Sequence, residues 1–146
     1  MRAPIIRGAR PPYLATKTVT FTGAATLGGA ASNTTWFTVT GEVLVEYIVG
    51  WCVGTLGEAA PTATITLGIT GSTSLFIAAT NSTGLTTGLF WVSATPTANG
   101  IAVPAALKGI AITDNILSAC ATQNTNSGSL RIDCWWRPLS GDGLVV

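Results

Sequence analysis

The chain has 146 residues, 47% of them hydrophobic and 9% charged, with no histidine and a formal net charge of +1. Soluble domains usually carry about 25% charged residues, so much of this surface is uncharged Thr, Ser, Ala and Gly or is covered by partners. The length suits one domain with a proper core, and without histidine neither a Ser-His-Asp nor a Cys-His constellation can be assembled.

Residues 1–16 read as an extended basic arm. Pro4, Pro11 and Pro12 remove amide donors and fix φ, which opposes both a helix and a central strand. Arg2, Arg7, Arg10 and Lys17 put four positive charges in the first seventeen residues, with no acid among them. The other three basic residues face all six acids, so the body is mildly acidic. Four charges could contact phosphates. However, Ile5, Ile6 and Tyr13 lie among them, and that mixture suits docking on an acidic protein groove better than nucleic acid. Arg2, Ile5, Ile6, Arg7, Arg10 and Tyr13 are therefore expected to bind a protein partner, and nucleic acid is not expected to. No apolar run follows the arginines, so no signal peptide is expected.

From Lys17 the pattern is β throughout. Residues 16–22 alternate Thr with Val19 and Phe21. Residues 35–40 and 42–53 are separated by Gly41 alone, which predicts a tight turn or bend. Over 62–70 the alternation is strict, with Ala63, Ile65, Leu67 and Ile69 on one face and threonines on the other. Further strands are predicted at 74–79, 88–95, 109–113, 115–122 and 129–137, with turn chemistry between them. Residues 104–109 could form a helical turn that Gly109 ends. An all-β antiparallel sandwich or jelly roll of about eight strands follows, spanning 17–139, with a tail at 140–146. The longest apolar run, 43–54, contains Glu46 and is shorter than the roughly 20 residues of a bilayer span, so no membrane span is expected.

Cys52, Cys120 and Cys134 are odd in number and lie in apolar runs, which predicts buried reduced thiols. There is no C-x-x-C pair, and a zinc site has almost no ligands to draw on. Glu42 and Glu46 on one strand would stand about 13 Å apart, too far for a catalytic carboxylate pair. Asp142 in "SGDG" could offer one ligand to calcium, but such a site gathers several oxygens, and a polar turn explains the segment. No enzyme, cofactor or metal site is expected.

The last predicted strand, "RIDCWWRPLSGDG" (131–143), divides by parity. Leu130, Ile132, Cys134 and Trp136 share a core face, while Arg131, Asp133, Trp135 and Arg137 share a polar one. The same parity groups Trp51 with Val43, Val45, Tyr47, Val49 and Val53 as core. Trp135 is then an outward aromatic beside Arg137, fit for a subunit contact, a sugar platform, or cover by its own chain. Pro138 ends the strand. The apolar Leu144, Val145 and Val146 of the tail are expected to pack on a neighbour.

Three segments, "VTFTGAA" (19–25), "WFTVTGEVLVE" (36–46) and "CWWRPLSGDG" (134–143), carry a resemblance. Together they resemble short structural proteins of the head and tail modules of tailed bacteriophages, in segment order over most of 17–143. The resemblance implies a virion protein assembled in the bacterial cytoplasm, most like a capsid decoration protein. Its implied partners are the major capsid protein and its own copies, as a homotrimer, with the arm and sheet edges making the contacts. Alternatives are a tail or tail-tip component that recognises host glycans through Trp135, and a jelly-roll coat protein forming the shell itself.

Overall fold

Thr, Val and Ile dominate the alternating runs, and their branched Cβ atoms favour the extended backbone. The computed structural model describes residues 11–60 and 62–146. Eleven strands lie among them: β1 (Tyr13–Thr20), β2 (Ser32–Phe37), β3 (Val39–Thr40), β4 (Val43–Glu58), β5 (Thr64–Ile69), β6 (Ser72–Asn81), β7 (Phe90–Trp91), β8 (Lys108–Ile112), β9 (Ile116–Ala121), β10 (Thr125–Pro138) and β11 (Leu144–Val145). Every ladder is antiparallel. One sheet runs β1-β10-β4, with β7 and β8 both along the far side of the long β4. The second runs β2-β9-β5-β6, and β3 pairs with β11 in a short ladder.

The two sheets bury one core between them, as an all-β antiparallel sandwich does. Leu130, Ile132, Cys134 and Trp136 of β10 all point into it, as their parity predicts. From the second sheet come Trp36, Ile65, Leu67, Ile77, Ile116 and Cys120. Trp91 of β7 is fully buried, and its Nε1–H donates to Thr80 Oγ1 at 3.0 Å. Trp36 is 1% exposed, yet its Nε1–H has no acceptor among the described residues. The three cysteines are buried and unpaired, as expected. Gly128 lets β10 cross β4 closely: its φ is +91°, and a Cβ there would collide with the Thr55 carbonyl and the Leu56 Cα.

Several expectations need correction. The first strand begins at Tyr13, so residues 13–16 belong to the sheet and not to the arm. Gly41 is a bend and not a hairpin turn, because β2 lies in one sheet and β4 in the other. The chain changes layers at Thr38–Glu42, and turn chemistry alone cannot distinguish that from a hairpin. Only Phe90–Trp91 of the predicted strand 88–95 pairs. The turn at 104–109 is a 3-10 turn over Ala105–Leu107, ended by extended Lys108 before Gly109. The tail folds onto its own chain: Val145 is buried, and Val146 exchanges backbone hydrogen bonds with Thr38 at 2.7 and 3.0 Å.

Trp51 is the most consequential correction. Trp135 lies opposite Tyr47, but Trp136 lies opposite Val45, so Glu46 is an extra residue in β4. Such a bulge reverses the parity of everything after it. Val43 and Val45 point inward before it, and Ile48 and Cys52 after it. Tyr47, Val49, Trp51 and Val53 therefore face outward.

Candidate interaction surface

The register of the five-stranded sheet sets its outer face in rows. Leu14, Trp135, Tyr47 and Lys108 form one row, followed by Thr16, Asp133 and Val49, and then by Thr18, Arg131, Trp51 and Phe90. An apolar ridge, Tyr47-Val49-Trp51-Val53, thus runs down the middle. Trp135 stacks on Tyr47, with centroids 4.4 Å apart and planes 19° from parallel. Trp51 meets Phe90 edge-on at 4.7 Å. Beside the ridge, Val49, Phe90, Val92, Gly100, Ile101 and Val103 line an apolar cavity of about 160 Å³. Leu14 (55%), Ile101 (45%) and Val53 (44%) are exposed at the margins.

Among the described residues, two of the three cations on this face are paired within the chain, and the third, Lys108, is exposed at its β8 margin. Arg131 Nε donates to Asp133 Oδ2 at 3.1 Å, and Thr16 Oγ1 donates to Asp133 Oδ1 at 2.9 Å. Arg137 Nε donates to Glu46 Oε1, so the bulge residue anchors the end of β10. The opposite face of the sandwich is different in kind. The four strands of the second sheet contain no charged residue, and Asn33, Thr66, Ala119 and Ala121 are among the small side chains on its outside.

Of the residues predicted to bind a partner, Tyr13, Trp135 and Arg137 are in view. Tyr13 and Arg137 share a cavity of about 210 Å³ with Pro11 and Pro138, where the arm joins the domain. The Tyr13 ring also lies 5.0 Å from that of Trp136. Trp135 is half-buried, covered on one ring face by Tyr47. Arg2, Ile5, Ile6, Arg7 and Arg10 lie outside the described residues. Tyr47, Val49, Trp51, Phe90 and Ile101 were not predicted for this surface, because the Glu46 bulge that turns β4 over leaves no local mark in the sequence.

The sheet edges carry features that oppose strand addition. Lys17 on β1 sits at a core-facing register, opposite Ile132, and its Nζ donates to the Thr35 carbonyl of β2 at 3.1 Å. That one side chain ties both edges on this side of the sandwich together. On the other side β6 is broken by two register shifts, and β7 and β8 are short.

Titratable groups do not converge. No cluster of three or more His, Cys, Asp or Glu residues suited to a metal exists among the described residues. Burial raises all three thiols, that of Cys134 to about 12. Asp142 is held below the usual carboxylate range, chiefly by the Ser140 hydroxyl that donates to it at 2.6 Å. Compared with models of known families, with curated proteins and with solved structures, the chain matches none.

Proposed function

We propose that this chain is a structural virion protein of a tailed bacteriophage that decorates the capsid and stabilises it by binding the major capsid protein. It acts without catalysis, cofactor or metal. Residues 1–10 bring Arg2, Arg7 and Arg10 with the apolar Ile5 and Ile6 to an acidic groove of the capsid protein. The observation that carries this is the root of the arm. Tyr13 is clamped in β1 against Trp136, beside Arg137, so the binding segment starts from a fixed point of a rigid sandwich. A fixed root reduces the entropy lost when the segment is captured. Several copies on one shell multiply modest affinities by avidity, and the surface they bury must be re-exposed before the shell breaks.

Glycan recognition through Trp135 is not favoured. A sugar stacks on an open ring face, and Tyr47 already occupies one face of Trp135.

Phage heads assembled without the protein test the proposal. The full chain is expected to bind them stoichiometrically and to raise their melting temperature. A chain beginning at Pro11 keeps β1 whole, and it is expected to stay folded but to lose binding. Failure of the full chain to bind heads overturns the proposal.

A further inference from the structure

We infer that the outer face of the five-stranded sheet is the docking site for a second copy of this chain, packed face to face about a two-fold axis. This does not depend on where the protein works.

The ridge Tyr47-Val49-Trp51-Val53 and the cavity at Phe90 and Ile101 make one continuous apolar surface on the outer face of the five-stranded sheet. Contiguous apolar surface rimmed by polar groups marks an interaction site. The middle of the face does not single out a charged partner, because Arg131 is paired with Asp133 and Arg137 with Glu46, and Lys108 stands at its margin. The face is four strands wide and about seven residues long, or roughly 19 by 23 Å from strand spacing and rise. Two such faces bury about 900 Å² in projection, before side-chain relief is added, which is the size of a weak interface near the roughly 1,000 Å² that a biological contact needs.

The face is also complementary to itself. A two-fold axis parallel to the strands, lying between β10 and β4, exchanges those two strands and carries β1 over the β7–β8 side. Within each row Arg131 then lies over Trp51 of the other copy, and Trp135 over Tyr47. A guanidinium on an indole is a favourable pair. Asp133 comes over Val49 with its bonds to Arg131 and Thr16 intact. Leu14, the most exposed large hydrophobic of the face, moves beside Lys108 and toward the cavity at Val49, Phe90 and Ile101. Among the described residues no like charges meet in this arrangement. Edge-to-edge pairing has no such support, because Lys17 and the β6 irregularities blunt the edges.

Sedimentation equilibrium of the full chain, from micromolar to sub-millimolar concentration, tests the inference. The expected species has twice the monomer mass of 14.9 kDa. Trp51→Lys and Leu14→Arg are expected to weaken the dimer by about tenfold or more each. Leu14 is more than half exposed, so its replacement leaves the circular dichroism spectrum unchanged even if Trp51→Lys perturbs folding. Ala121→Lys, on the outside of the other sheet, is expected to leave the dimer intact. A monomer at every concentration overturns the inference. So does a dimer indifferent to Leu14→Arg, or a mass of three chains, the oligomer that the phage resemblance implies.

Discussion

Two buried tryptophans of the core differ in one respect that can be measured. Trp91 is fully buried and donates to Thr80 Oγ1 at 3.0 Å, and that hydroxyl in turn donates to the Ala78 carbonyl at 3.1 Å. Trp36 is equally enclosed, but its Nε1–H has no acceptor among the described residues. Replacing either with Phe removes roughly 40 Å³, a cavity cost of about 1 kcal/mol before transfer terms that are similar at both sites. Trp91→Phe also forfeits a hydrogen bond with a net value of about 1 kcal/mol. Trp36→Phe instead removes an unsatisfied donor and recovers the roughly 1–3 kcal/mol spent on desolvating it. Trp91→Phe is therefore expected to be the more destabilising by about 2–4 kcal/mol, or about 6–13 °C in Tm for a domain of this size. Urea denaturation followed by far-UV circular dichroism reads the difference without relying on tryptophan fluorescence. Equal losses at the two sites would refute the assignment of the hydrogen bonds and the account of core energetics built on it.

Two further outcomes follow from backbone and thiol chemistry. Gly128→Ala meets both a left-handed φ of +91° and the backbone of Thr55 and Leu56, whereas Gly109→Ala meets a φ of +69° with nothing within 4 Å. The first is expected to cost several times the second, which should stay near about 1 kcal/mol in urea unfolding; similar costs would contradict the close crossing of β10 and β4. Cys134, raised to about 12 by burial, should resist thiol reagents in the native state and label only on unfolding. A thiol whose folded pKa is raised contributes stability that is full below its unfolded value, 9.0, and is lost as pH rises past it. The alkaline fall in stability should therefore begin near that value and be shallower in Cys134→Ala; an unchanged slope would sink the assignment.

Much of the fold was legible in residue order because it rests on a local period. Ile65 and Leu67 alternate with threonine over β5, and Leu130, Ile132, Cys134 and Trp136 alternate with polar residues over β10. A two-residue repeat with one buried face specifies both strand and orientation, and both were read correctly. Composition indicated the class as well: many short Thr-rich and Val-rich runs separated by turn residues pack as antiparallel sheets. The buried, unpaired cysteines belong to the same kind of inference, since apolar flanks indicate burial directly.

What depends on the partner strand could not be read in that way. The extra residue at Glu46 shows only when Trp135 and Trp136 are set against Tyr47 and Val45, yet it decides that Trp51 faces outward. Gly41 signals a turn, but whether the chain doubles back or changes sheets depends on where β9 and β10 lie, some 80 residues further on. The tail's apolar residues signal a contact without naming it, and only the pairing of Leu144–Val145 with Val39–Thr40 shows that the contact is internal. Sequence alone determined the strands, their alternation and the class of fold, because side-chain parity is a property of one strand. Tertiary structure alone decided which way β4 faces beyond Glu46 and which residues share the aromatic surface, because register is a property of two.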